Sequence, residues 1–80
     1  MKLRVEISLY PLTENFIPYI DDVIGRLKNQ EGITLSTNEL STQIYGEYDR
    51  VMNSINQEMK LSFQNNIKMV FVAKYHCPSE

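Results

Sequence analysis

Eighty residues, 42% hydrophobic and 22% charged, fit one globular domain spanning 1–80, with no composition shift to mark a linker and no disordered or fibrous signature. The net charge of −2 leaves eight basic residues scattered among ten acidic ones, which speaks against a nucleic-acid-binding stripe. The apolar runs fall far short of the ~20 residues a membrane span needs. The single cysteine, Cys77, allows neither an internal disulfide nor a thiolate-rich metal site, and a cytoplasmic location is expected.

From Lys2 to Tyr10 the residues alternate, with Leu3, Val5, Ile7 and Leu9 on one side and Lys2, Arg4, Glu6, Ser8 and Tyr10 on the other. This pattern predicts a strand with one apolar face, ending at Pro11, which cannot donate a ladder hydrogen bond. Thr13-Glu14-Asn15 suits a loop and helix N-cap. Ile17, Ile20, Val23, Ile24 and Leu27 then recur at helical spacing and predict a helix over Phe16 to Asn29. Pro18 fits its first turn, Asp21 and Asp22 lie toward its positive end, and Gly25 suggests close packing.

After Gly32, Ile33–Thr37 and Ser41–Tyr45 read as two strands joined by the short Asn38-Glu39-Leu40 connection, hence an antiparallel hairpin ending at Gly46, a bulge or turn position. A second helix follows, with Tyr48, Val51, Met52, Ile55, Met59 and Phe63 on its apolar face and Asp49 as N-cap or first-turn acid. Asn65-Asn66 closes it. Ile67 through Tyr75 is rich in β-branched and aromatic residues and predicts a last strand, with His76–Glu80 a loosely held tail.

Strand, helix, strand, strand, helix, strand, with right-handed crossovers, gives an α+β ferredoxin-like βαββαβ sandwich: a four-stranded antiparallel sheet with both helices on one face. The other face then carries Arg4, Glu6, Ser8, Tyr10, Gln43 and Tyr45, a half-polar, half-aromatic surface suited to a ligand or a second subunit. A chain this short buries only about 60% of its unfolded surface, so association with another copy would help it.

Two segments carry a resemblance. Glu6-Ile7-Ser8-Leu9-Tyr10-Pro11-Leu12 and the run from Ser41-Thr42-Gln43-Ile44-Tyr45-Gly46 through Glu47-Tyr48-Asp49-Arg50-Val51-Met52 resemble the thiamine-binding, YkoF-like family of small ferredoxin-like proteins. The resemblance covers nearly the whole chain. It departs at Asn65-Asn66-Ile67-Lys68, where relatives often have a Gly-containing turn, and in the tail after Lys74, which apart from Glu80 lacks the charged ending expected of relatives. It implies a unit that pairs with another through its sheets, here as a homodimer or a dimer of dimers. It also implies binding of thiamine or hydroxymethylpyrimidine near the sheet and the subunit contact, without a reaction and without a required cofactor.

An aminopyrimidine asks for coplanar donors and acceptors beside an apolar or aromatic wall, and a thiazolium adds a positive charge that favours carboxylates and aromatic faces. Ser8, Thr37, Thr42 and Gln43 are the candidate polar contacts, Tyr10 and Tyr45 the walls, and Glu6 and Glu47 the carboxylates. Each has a plainer reading. The tyrosines suit an oligomer contact, Glu6 a cross-strand ion pair with Arg4 or Lys68, Glu47 a helix-dipole acid, and Thr42 a position beneath the helices. Met52, Met59 and Met69 read as core. His76 beside Cys77 lacks a neighbouring acid to orient it as a catalytic pair.

Other functions of the fold fit less well. Pro11-Leu12-Thr13-Glu14-Asn15 has an acid where a phosphate-cradling loop of the acylphosphatase kind needs a base, and the third strand lacks the basic-Gly-aromatic run of RNA-recognition modules. A metal chaperone would need Cys-x-x-Cys. The strongest rival to a ligand binder is a structural or regulatory oligomerisation module with no small ligand.

Overall fold

The computed structural model describes residues 1–65 and 68–78. Its elements run β1 (Lys2–Pro11), α1 (Ile17–Lys28), β2 (Ile33–Thr37), β3 (Thr42–Glu47), α2 (Tyr48–Phe63) and β4 (Met69–His76). The four strands form one sheet in the order β2-β3-β1-β4, every neighbouring pair antiparallel. This is the expected ferredoxin-like βαββαβ sandwich.

The strand alternation decides which face is covered. Leu3, Val5 and Ile7 of β1 and Ile44 of β3 are buried in one cluster with Val23 and Leu27 of α1 and Val51 and Ile55 of α2, so both helices lie on the same side of the sheet. Met52, Met59 and Met69 pack against that cluster. Phe71 of β4 meets Phe63 edge to face, with ring centroids 5.5 Å apart. The opposite side carries Arg4, Glu6, Ser8 and Tyr10, flanked in register by Tyr45 and Gln43 of β3 and by His76, Lys74, Val72 and Val70 of β4.

Several local expectations are corrected. β1 does not stop before Pro11, which pairs with Met69. The Leu12 amide donates to the Lys68 carbonyl at 2.8 Å on the β4 side, so strand alternation turns the Pro11 nitrogen the other way, where β1 has no neighbour and a missing N–H costs nothing. The cap of α1 is Phe16, with no side-chain bond, rather than the Thr13-Glu14-Asn15 cluster, and Asp21 and Asp22 lie beyond the first turn. A Cβ built on Gly25 meets nothing within 4 Å, so this glycine answers no close contact.

Gly46 is neither bulge nor turn. It sits inside β3 in register with Leu3 and Ile33, and a Cβ there would come within 2.6 Å of the Gly32 carbonyl oxygen. β3 begins at Thr42 and runs on to Glu47, which is the residue that caps α2, with Asp49 in its first turn. Tyr48 and Phe63, placed on the apolar face of α2 by periodicity, are exposed at its two ends. Between them the helix buries three polar residues, Ser54, Glu58 and Ser62, spaced four apart. Glu58 accepts a hydrogen bond from Arg26 Nε at 2.7 Å and thereby ties α2 to α1. β4 runs from Met69 through His76, so His76 belongs to a strand rather than to the tail; Asn66, Ile67, Ser79 and Glu80 lie outside the described residues.

Candidate ligand-binding site

The sheet has an unequal edge. β3 pairs with β1 only from Lys2 to Ile7, whereas β4 accompanies β1 from Arg4 to Pro11. Ser8 to Pro11 therefore project past the end of β3 with one side unpaired in the ladder. The alternation that directs the Leu12 amide to β4 directs the amide and carbonyl of Leu9 to this open side. A donor and an acceptor of the main chain thus stand side by side at a notch, and buried main-chain groups are almost always satisfied by some partner.

The surrounding chain turns the notch into a hollow. Because α1 follows β1, its first turns lie at the same end of the sheet and contribute Phe16 and Ile20, while the β2–β3 turn contributes Glu39 and Leu40. With Ser8, Leu9, Tyr10, Pro11 and Leu12 these residues line a hollow of about 390 Å³. A smaller one of about 90 Å³ adjoins it, sharing Ser8, Leu9, Ile20, Glu39 and Leu40 and reaching Thr37 and Thr42. The turn between them is fixed by Asn38, whose Oδ1 accepts from the Leu40 and Ser41 amides at 2.8 and 3.0 Å while its own amide donates to the Ser41 carbonyl. Ser8 Oγ reaches the Leu40 carbonyl at 3.5 Å, and the Leu40 side chain, 88% exposed, stands at the rim.

The structure sorts the eight candidate residues into three groups. Ser8 and Tyr10 line the larger hollow; Ser8, Thr37 and Thr42 line the smaller. Thr42 lies on the helix side of the sheet, 4% exposed, and its hydroxyl shares a 2.8 Å hydrogen bond with that of Thr37. Glu6 and Gln43 are cross-strand neighbours on the open face. Glu6 accepts from Ser41 Oγ at 3.2 Å and pairs with Lys74 at 3.7 Å, not with Arg4 or Lys68.

Tyr45 and Glu47 lie toward the far end. Arg4 stacks over the Tyr45 ring with its guanidinium carbon 4.6 Å from the centroid, and Glu47 pairs with the amino group of Met1 at 3.5 Å. Tyr45 stands opposite Arg4, six residues along β1 from Tyr10, and a strand advances about 3.3 Å per residue. The two tyrosines are thus separated by roughly 20 Å and cannot wall one heterocycle. The residues that sequence reasoning did not single out, Leu9, Leu12, Phe16, Ile20, Glu39 and Leu40, supply most of the hollow. Its legible signal was length: the first predicted strand is longer than the third, and the excess has to end somewhere unpaired. Among the described residues no cluster of three or more His, Cys, Asp or Glu side chains is placed to hold a metal, and no helix is long and apolar enough to cross a membrane.

The family profile described as thiamine-binding protein matches residues 5–73, a stretch that takes in the whole notch. The chain belongs to this thiamine-binding protein family. Among solved structures, a Streptococcus pneumoniae protein superposes with a TM-score of 0.88 at 25% identity, covering 99% of this chain and 89% of the other. A hypothetical protein from Methanocaldococcus jannaschii gives 0.84 at 18% identity, over 99% and 82%. A Thermotoga maritima protein whose description offers a role in thiamine biosynthesis or salvage gives 0.74 at 19% identity, over 95% and 85%. No curated protein matches in sequence. Membership of the thiamine-binding family supports a small-ligand-binding role for this member.

Proposed function

We propose that this thiamine-binding family member holds thiamine or its hydroxymethylpyrimidine half in the hollow at the end of β1 and carries out no reaction on it. The observation that carries the reading is the notch itself, within the matched stretch: an unpaired main-chain donor and acceptor at Leu9 beside the Ser8 hydroxyl, the Tyr10 ring and the apolar Leu12, Phe16 and Ile20. An aminopyrimidine presents ring nitrogens and an exocyclic amine in one plane, which a strand edge can meet as it would meet another strand. The hydroxyls that line the two hollows, those of Ser8, Tyr10, Thr37, Ser41 and Thr42, have no His, Lys or Cys beside them among the described lining residues, so no base is placed to activate one as a nucleophile.

Calorimetry and thermal melting of the purified protein with thiamine and with hydroxymethylpyrimidine test the proposal. Ligand at 100 times its dissociation constant adds about 2.7 kcal/mol, and Ser8→Ala and Tyr10→Ala should each reduce that gain. An unchanged melting curve at millimolar concentrations of both compounds would refute it.

A second reading concerns assembly. Val70 and Val72 of β4 are exposed on the open face beside Tyr10, and a second copy pairing face to face would cover them. Light scattering coupled to size exclusion would detect the dimer or tetramer, and Val72→Lys should dissociate it. A monomer at all accessible concentrations would leave the structural-module alternative without support.

A further inference from the structure

We infer that Glu39 sets the charge preference of the hollow, selecting cationic heterocycles and excluding their phosphate esters; the inference rests on the ligand reading above. Among the described residues Glu39 is the one charged residue lining either hollow. Every other lining residue is apolar or an uncharged polar group, so a phosphate placed there would meet a carboxylate and no Lys or Arg. Among the described residues the ion pairs formed are Met1–Glu47, Arg26–Glu58 and Lys74–Glu6, which leaves the Glu39 carboxylate without a cation in the protein itself.

The turn that carries it is fixed. The Asn38 side chain clamps the two amides that follow Glu39, holding the turn at the rim rather than letting it sweep through solvent. At the rim of a hollow walled by Leu9, Leu12, Phe16, Ile20 and Leu40, an exposed carboxylate attracts a cation held there and repels an anion, most strongly at low salt. A thiazolium carries a permanent positive charge, whereas a phosphate monoester adds between one and two negative charges near neutral pH. The same carboxylate therefore favours the first and repels the second. This makes Glu39 a specificity residue that acts on the ligand's net charge, with the notch at Leu9 left to read the uncharged pyrimidine edge.

The experiment is calorimetry with thiamine, thiamine monophosphate and hydroxymethylpyrimidine against wild type, Glu39→Gln, Glu39→Lys and Tyr10→Ala, with a melting curve of each unliganded variant. Glu39 is exposed in a turn, so its variants should melt as the wild type does. The expected pattern is thiamine binding at least ten-fold tighter than its monophosphate in the wild type. Glu39→Gln should weaken thiamine about ten-fold while leaving hydroxymethylpyrimidine within two-fold, and Glu39→Lys should reverse the order of thiamine and its monophosphate. Tyr10→Ala should weaken all three. Equal affinities for thiamine and its monophosphate in the wild type, or thiamine binding that Glu39→Gln leaves unchanged while Tyr10→Ala weakens it, overturns the inference and leaves the site standing. Failure of all three compounds to bind the wild type removes both.

Discussion

Removing either partner of the Arg26–Glu58 pair breaks the same 2.7 Å hydrogen bond, yet the two losses should differ several-fold in cost. The Glu58 side chain is 2% exposed and that of Arg26 39%. In Arg26→Met the carboxylate stays buried with no counter-charge, a situation that costs about 3–5 kcal/mol in fully buried pairs; the solvent already at the arginine end places this one near the lower figure. In Glu58→Met the guanidinium swings outward to solvent. The lost charged hydrogen bond, about 1.5–3 kcal/mol, is then largely offset by the burial of a methionine, about 1.5–3 kcal/mol. For a domain of this size 1 kcal/mol moves the midpoint by roughly 4–8 °C. Arg26→Met should thus lower Tm by roughly 12–24 °C, Glu58→Met by a few degrees at most, and the double variant should melt close to the wild type. Thermal and urea unfolding followed by circular dichroism at one fixed protein concentration reads all four. Equal losses in the two single variants, or a larger loss for Glu58→Met, would show that the carboxylate is not the trapped member.

Gly46→Ala should destabilise by about 1–3 kcal/mol in urea melts, because the added methyl meets main chain at the start of β2, the Gly32 oxygen and the Ile33 Cα, neither of which can turn aside. Gly25→Ala should stabilise by up to about 1 kcal/mol, since an exposed helical glycine with open space around its Cβ position carries only the entropic penalty; a loss of stability would restore the close-packing reading. Tyr45→Ala should leave thiamine affinity unchanged where Tyr10→Ala weakens it, because register puts the two rings at opposite ends of β1; equal effects in calorimetry would place the ligand across the open face instead.

The parts of the fold that follow from periodicity were legible. Leu3, Val5 and Ile7 alternate because one face of β1 is covered and the other is not, and Val23 and Leu27, like Val51 and Ile55, stand four apart because one stripe of each helix meets that covered face. The same rule oversteps at the ends: Tyr48 stays exposed at the start of α2, and Phe63 at its end touches Phe71 of β4 with one edge and leaves the rest of its ring to solvent. It also misses Ser54, Glu58 and Ser62; a buried carboxylate such as Glu58 needs a partner, and nothing in the local sequence of α2 shows that Arg26 of α1 will be there. Ser8 and Tyr10 were within reach of sequence reasoning because they are side chains on a predictable face. Leu9 was not, because what it offers the site is main chain, and a one-letter code hides whether a strand's neighbour has stopped.

That stop connects Pro11 to the proposed site. A proline late in a central strand would normally break a ladder, and β1 is central, with β3 on one side and β4 on the other. The conflict is resolved because β3 begins only at Thr42, opposite Ile7, so the nitrogen of Pro11 points into a space no strand occupies. Extending β3 to cover Ser8–Pro11 would leave Pro11 with a carbonyl to face and no hydrogen to offer it. The notch and the proline therefore belong together: the residue that tolerates the missing strand is two positions from the main-chain amide that the missing strand leaves free. Pro11→Ala should accordingly fold with its notch intact, because the vacancy is set by where β3 starts, and thiamine affinity in calorimetry should stay within about three-fold of wild type, a change of roughly 0.7 kcal/mol. A loss much beyond that would mean that the ring of Pro11, rather than the open edge beside Leu9, is what the ligand touches.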